Sequence, residues 1–152
     1  MSKPFALQPL VNLAHQQNEA STRAFGLLNQ KQQDAQHKLD TLQQYRKDYQ
    51  LRLQQAIQDG MHQANLHNFQ NFIHRLDEAI AQQRAMLEHA RRSAQAGRSD
   101  LQHAQRKMKS FDTLAQRHAD NERKQEAKLE QRQSDEYSGR FAAMNTTQHA
   151  DK

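Results

Sequence analysis

The stretch that decides the fold is residues 53–66, LQQAIQDGMHQANL. Asp59 and Gly60 interrupt a long run of helix-forming residues, and Gly readily takes the left-handed backbone conformation that ends a helix. The polar residues 62–65 follow before apolar residues resume at Leu66. This is the one convincing turn signal in the sequence, so we expect two helices joined by a short turn at about 59–65.

Apolar residues before this turn recur in alternating steps of four and three. The series begins at Leu7 and ends at Ala56, and eleven of its fifteen positions hold an apolar residue or Tyr. A sustained period of 3.5 residues, positions a and d of a seven-residue repeat, is typical of a coiled-coil seam. The first helix is therefore predicted to pack along one narrow stripe.

A second series of the same kind follows the turn. It runs from Leu66 to Ala115 with thirteen of fifteen positions apolar, and then fades, since only one of the next six positions is apolar. Folding the chain back around residue 61 places residue i opposite about 122 minus i, so Leu7 would face Ala115. Two stripes of matching extent predict an antiparallel hairpin, about 75 Å long at 1.5 Å per residue.

The predicted fold class is all-α, a long antiparallel two-helix coiled coil with a C-terminal helical extension. We expect a single coiled-coil domain over residues 1–152. Helix 1 would cover about 5–58, helix 2 about 66–135, and a flexible tail about 138–152. Only 4 Gly and 2 Pro, 35% hydrophobic residues and a mean hydropathy of −1.17 agree with a thin helical core and argue against a thick globular one.

Composition limits the chemistry and the compartment. The chain has no cysteine, which excludes thiol chemistry and disulfides. The residues after Met1 lack the apolar run of a secretory signal, and no window approaches the ~18 apolar residues of a membrane span. We therefore expect a cytoplasmic protein. The net charge of +5 comes from 22 basic and 17 acidic residues, which are interleaved as on the solvated flanks of coiled coils.

No motif predicts catalysis, a cofactor or a metal site. The nine histidines include no pair three or four residues apart, the spacing that lets two ligands share a helix face. His67 and His74 are seven apart, about 10 Å along a helix, which is too far to bind one ion. Phosphate loops, nucleophile elbows and zinc-protease motifs are missing from the sequence. A binding or structural protein is the expected class.

Some apolar residues fall outside the seam. Tyr45 lies at heptad position g of the first helix, and Phe72 and Ala79 lie at g of the second, so all three should flank the seam on one side near the turn. They either widen the packed stripe or form a docking patch for a partner, which aromatic residues favour.

Basic residues are frequent in the second helix and the tail. This basic stretch is either a solvated face or a binding surface for an acidic partner. Nucleic acid is not the expected partner, because the stretch lacks the interleaved aromatic residues of a single-strand platform. The residues are Arg91, Arg92, Arg98, Arg106, Lys107, Lys109, Arg117, Arg123, Lys124, Lys128 and Arg132.

Four segments together resemble the FliJ family of flagellar type III export proteins. Each is weakly specific alone, but their order, the chain length and the single turn strengthen the resemblance, which is nearly end to end. They are Phe5-Ala6-Leu7-Gln8-Pro9-Leu10, the stretch 42–49 (LQQYRKDY), the stretch 68–80 (NFQNFIHRLDEAI), and Ser134-Asp135-Glu136-Tyr137 followed by Arg140.

The resemblance implies a stalk in the central hole of the hexameric flagellar export ATPase, linking it to the membrane-embedded export gate. It also implies contacts with export chaperones, indirect association with the inner membrane, and no cofactor. The residues that would meet the cytoplasmic domain of the gate protein are Leu42, Tyr45, Tyr49, Phe72, Leu76 and Ala79. Those that would meet the ATPase ring are Phe5, Leu7, Leu10, Leu13, Arg106, Lys107, Lys109, Arg117, Arg123 and Lys124.

Three other functions stay open from the sequence. One is a basic coiled-coil adaptor that binds nucleic acid or an anionic membrane surface. Another is an adaptor that self-associates. The third is the stalk of a virulence-type secretion system, whose composition would be the same.

Overall fold

The computed structural model describes residues 3–150, which form two long α-helices. Helix α1 is Gln8–Gln58 and helix α2 is Gln63–Ala150. Within residues 3–150 there is no β-strand. The two helices pack against each other, which confirms the predicted all-α helical hairpin.

Contacts divide the chain into two compact units. One unit is Asn18–Ala104, which contains the turn, and the other combines Met1–Gln17 with Gln105–Lys152. The single domain expected over residues 1–152 stays a prediction.

The core of the unit Asn18–Ala104 lies along the two predicted stripes. Leu39, Ile80 and Leu87 form a buried cluster, and Ala35 and Leu42 pack against it. Every a and d position of this unit is buried or half-buried, including the polar ones. A 3.5-residue period keeps one stripe facing the partner helix, which accounts for the burial or half-burial of these positions along the seam.

Cross-helix contacts in the same unit fix the antiparallel register. The side-chain amide of Gln83 donates a hydrogen bond to the backbone carbonyl of Ala35 at 3.0 Å, and Arg46 is paired with Asp77. The residue numbers of these pairs add up to 118 and 123, close to the 122 of the folding rule. The predicted register is therefore correct here.

The turn is shorter than predicted and covers four residues, Asp59–His62. Gly60 has a φ of 86°, the left-handed conformation in which an L side chain would be strained. The backbone amide of Leu66 donates to the carbonyl of His62, so α2 begins at Gln63 and not at 66. The prediction of a turn up to residue 65 is therefore wrong at 63–65, and the physical reason is that Gln63 and Ala64 are good helix formers.

The unit that contains both chain ends has a thinner core. Val11 and Ala14 are buried, and His15 Nε2 lies 2.7 Å from a carboxylate oxygen of Asp112. The ring of Phe5 packs against that of His118, with centroids 5.3 Å apart. His118 Nε2 also lies 2.9 Å from the backbone carbonyl of Lys3.

Two predicted boundaries in this unit differ from the structure. Helix α1 begins at Gln8 and not at 5, with Pro9 in its first turn, where a missing N–H costs no helical hydrogen bond. Leu7 precedes the helix and is exposed, so the α1 seam starts at Val11. On α2 the half-buried positions continue past Ala115 to Glu122, because the segment before α1 packs there.

Helix α2 does not end at about 135 as predicted but continues to Ala150. Every residue from Arg123 to Ala150 is exposed. The segment contains no Pro, and Thr146 and Thr147 donate hydrogen bonds to carbonyls four residues earlier, which fit a continuing helix. The flexible tail expected at 138–152 is therefore helical up to Ala150, and its last two residues lie outside the described range.

Candidate docking surfaces

The aromatic residues near the turn form a cluster in the unit Asn18–Ala104. The Tyr49 ring lies 4.3 Å from that of Phe72 and 5.0 Å from that of Phe69, in tilted arrangements. Tyr45 lies one helical turn before Tyr49 on the same face of α1. Tyr45 is 61% exposed and Phe72 is 42% exposed, so two aromatic side chains present much of their surface to solvent.

The other residues predicted to join them are less accessible. Leu76 is only 9% exposed, since it occupies a seam position. Leu42 packs on the buried cluster of Leu39, Ile80 and Leu87, and Ala79 is half-buried. We call the six residues Leu42, Tyr45, Tyr49, Phe72, Leu76 and Ala79 the turn-proximal patch. Its accessible part is Tyr45 and Phe72, with the half-buried Tyr49 between them.

A groove of about 450 Å³ adjoins the patch at the turn. Sequence reasoning did not include most of its lining residues. Amide side chains and one basic side chain surround the Tyr49 and Phe72 rings, so a partner would find hydrogen-bonding groups next to the aromatic surface. The lining residues are Tyr49, Met61, Asn65, Asn68, Phe69, Asn71, Phe72 and Arg75.

Met86 extends the same side of the seam away from the turn. It is 61% exposed, and it lies at heptad position g, seven residues after Ala79. A groove of about 540 Å³ beside Met86 is also lined by Ala35, Ala90, Lys31 and Lys38. Its heptad position g would have predicted Met86 on this surface, but the prediction from the sequence includes only Tyr45, Phe72 and Ala79 at that position. We call this side of the seam the g flank.

The residues predicted to meet an ATPase ring all lie in the other unit. Phe5 is half-buried by His118, whereas Leu7, Leu10 and Leu13 are 38%, 43% and 46% exposed. The six basic residues of this set are exposed, and of these six only Arg123 has an ion pair among residues 3–150, with Asp120. The basic residues are Arg106, Lys107, Lys109, Arg117, Arg123 and Lys124. This unit thus combines exposed leucines with five exposed basic side chains of this set that form no ion pair among residues 3–150.

Charge near the turn-proximal patch is partly neutralised within the molecule. Arg46, a seam residue, donates to the Asp77 carboxylate across the helix pair. This hydrogen bond and the negative charge of Asp77 raise the pKa of Arg46 above its ordinary value. A guanidinium is charged at neutral pH in any case, and its pairing with Asp77 agrees with the antiparallel register of the two helices.

Residues 3–150 offer no arrangement of three or more His, Asp or Glu side chains that could hold a metal ion. In the same residues, neither helix contains a segment apolar and long enough to cross a membrane.

Comparison with known proteins gives the family. A family model described as "Flagellar FliJ protein" matches residues 2–146. The chain belongs to the FliJ family.

Two curated proteins are similar to this FliJ-family chain. A "Flagellar FliJ protein" of Escherichia coli (strain K12) is 26% identical over 142 residues, which cover 93% of this chain and 97% of that protein. A "Flagellar FliJ protein" of Salmonella typhi is 25% identical over the same length. No solved structure matches the chain significantly. Membership of the FliJ family supports a role as a component of flagellar protein export and confirms the resemblance read from the sequence.

Proposed function

We propose that this chain is the non-enzymatic stalk that couples the hexameric flagellar export ATPase to the export gate in the membrane. In this proposal, the turn-proximal patch binds the cytoplasmic domain of the gate protein, and the unit containing the chain ends binds the ATPase ring. The chain would be cytoplasmic and would associate with the inner membrane only through the gate. Flagellar relatives favour this system over a virulence-type one.

The observation that carries the proposal is the exposed aromatic pair Tyr45 and Phe72. Within residues 18–104 no third helix covers them, so their apolar surface stays in water. Aromatic side chains carry a large share of binding energy when a partner buries them. The Tyr49 ring packs against the Phe72 ring and restricts its rotation. Binding would therefore cost less side-chain entropy at Phe72.

The ATPase contact rests on the unit that contains the chain ends. Its exposed leucines and its exposed basic residues, most of which form no ion pair among residues 3–150, would suit a surface that combines apolar and acidic groups. Export chaperones enter the proposal as further partners on the family resemblance alone, and we assign no residue to them.

One pair of substitutions tests the proposal. We expect Tyr45→Ala with Phe72→Ala to weaken binding to the isolated gate domain at least about 30-fold, since two aromatic contacts of about 1 kcal/mol or more each would be lost. The readout is titration calorimetry. Binding to the ATPase should be unchanged, because it is assigned to the other unit.

The matched control is Leu27→Ala with Leu51→Ala. Both leucines lie on α1 and are exposed, but neither occupies the g flank. Circular dichroism should show the same helix content for both double variants. If Tyr45→Ala with Phe72→Ala binds the gate domain as well as the unchanged chain does, the assignment of the patch is wrong.

A further inference from the structure

The side of the seam opposite the g flank carries a row of arginines in the unit Asn18–Ala104. These occupy heptad position e of α2, and the same position of α1 holds only amides over the facing stretch. We call this side the e flank. Its residues are Arg84, Arg91 and Arg98 on α2 and Asn29, Gln36 and Gln43 on α1.

The three arginines have no carboxylate partner within the described residues. None of them forms an ion pair in residues 3–150. Arg91 instead donates to the side-chain carbonyl of Gln36 at 3.3 Å, and the Gln36 amide donates to Asp40 at 2.9 Å.

At the e position one heptad before Arg84, the charge of the α2 residue is balanced by a residue of α1. There α2 has Asp77, and α1 supplies Arg46 to neutralise it. Counting Arg46, four arginines lie on this side with three carboxylates, namely Asp77, Asp40 and Glu88, and Glu88 pairs with Arg92. The e flank therefore keeps an excess of positive charge that α1 does not balance.

Grooves run beside this row. One of about 430 Å³ is lined by Arg91 and Arg98 together with Phe25, Ala94 and amide side chains. Another of about 520 Å³ is lined by Arg84, Arg46, Asp77, Gln43 and Ile80. Both have apolar side chains of the seam at their floor and arginines at their rim. Ile80 and Ala94 are already buried in the seam, so a partner would contact mainly the half-buried Phe25 and the polar side chains, and its acidic groups would meet the arginines.

We propose that the e flank binds an acidic α-helix of a partner protein, which presents one carboxylate per heptad to Arg84, Arg91 and Arg98. Arginines seven residues apart are about 10.5 Å apart along α2, the same distance as heptad positions on a second helix. In coiled coils, charges at e and g positions select the partner helix in this way. Guanidinium groups also suit carboxylates, since they donate two hydrogen bonds in a planar fork.

The spacing favours such a helix over nucleic acid. One arginine per ~10.5 Å is a sparse row against one phosphate charge per ~1.7 Å of duplex axis. A single strand would need exposed aromatic side chains to stack its bases on. Within the unit Asn18–Ala104 the exposed aromatic side chains lie on the g flank, whereas Phe25 in this groove is half-buried in the seam.

The test uses the full chain and a labelled helical peptide of about three heptads, with Glu once per heptad among Ala and Gln residues. Fluorescence anisotropy at low and physiological salt measures its affinity. We expect Arg91→Glu with Arg98→Glu to weaken binding at least about ten-fold, because two attractive ion pairs become repulsive. A peptide with Lys in place of Glu should bind this variant better than it binds the unchanged chain.

The matched control is Lys31→Glu with Lys38→Glu. These lysines are also exposed and seven residues apart, but they line the groove of the g flank. The control changes net charge equally and should leave peptide affinity within about two-fold. Equal losses for both variants, or no binding by the unchanged chain, would overturn the proposal. Tighter binding of a single-stranded oligonucleotide that displaces the peptide would overturn it in favour of nucleic acid.

Discussion

Alanine in place of Gly97 or Gly26 gives two substitutions with the same chemistry and different surroundings. Both glycines lie inside long helices of the unit Asn18–Ala104. The pairing rule from the sequence put them nearly opposite one another, but only Gly97 faces the partner helix. A Cβ on Gly97 would lie 2.6 Å from Leu28 Cδ1, whereas a Cβ on Gly26 would meet nothing within 4 Å.

The expected changes follow from two opposing terms. Within a helix, Ala is favoured over Gly by about 1 kcal/mol, so Gly26→Ala should raise the free energy of unfolding by about that amount. Gly97→Ala gains the same propensity but overpacks the seam, which costs about 1–3 kcal/mol. The atom in the way is the end of a half-buried Leu side chain that can rotate, so the low end of that range applies. Gly97→Ala should therefore change stability by about zero.

Urea unfolding followed by far-UV circular dichroism measures both variants. The decisive control repeats Gly97→Ala in a chain that already carries Leu28→Ala. With the Leu28 side chain removed, the clash disappears, and Gly97→Ala should then stabilise by about 1 kcal/mol, as Gly26→Ala does. If Gly97→Ala and Gly26→Ala stabilise the unchanged chain equally, Gly97 does not face Leu28 and the register is wrong.

Two further predictions concern the seam and the end of α2. Asn18→Leu should raise the free energy of unfolding by about 1 kcal/mol, because the buried Asn18 Oδ1 has no hydrogen-bond partner among the described residues. Chemical denaturation measures this, and Asn29→Leu at an exposed position is the control. A chain ending at Gln125 should keep its Tm within about 2 °C in calorimetry, since residues 126–150 are all exposed. A much larger drop would mean that residues 126–150 pack on something in solution.

The seam could be predicted because its cause is periodic. Burial of one stripe requires apolar residues at a and d, and that spacing is visible without coordinates. The polar seam residues were found by the same rule, and the structure shows what they do. Gln83 donates a hydrogen bond to the Ala35 carbonyl and Arg46 pairs with Asp77, so both polar side chains make contacts between the two helices.

The ends of the helices were harder to predict. The apolar stripe places the start of helix 2 at about 66, and helix is expected beyond the fade of the stripe only to about 135. The local hydrogen bonds of a helix, however, do not depend on a seam. Helix α2 therefore begins at Gln63, before the stripe, and continues to Ala150, long after it. The loss of the apolar pattern after Ala115 marks the end of most apolar packing between the helices. It does not indicate where the backbone stops being helical.

The candidate sites were predicted in part. Heptad position g correctly indicated that Tyr45 and Phe72 are exposed. The family resemblance added Leu76, whose d position already indicated burial. Of the e-flank arginines, the basic stretch read from the sequence includes Arg91 and Arg98 but not Arg84. That none of the three forms an ion pair depends on which side chains face them, and this is visible only in the structure. Whether any of these residues binds a partner stays a prediction.

The aromatic residues of the g flank and the arginines of the e flank lie on opposite sides of the seam, which affects how partners could bind. Two partners could bind the g flank and the e flank at the same time without displacing each other. They would also respond differently to ionic strength, since salt screens attraction between charges but does not weaken contact between apolar surfaces. A rise in salt concentration would then release a partner bound to the arginines of the e flank and retain one bound to Tyr45 and Phe72 on the g flank.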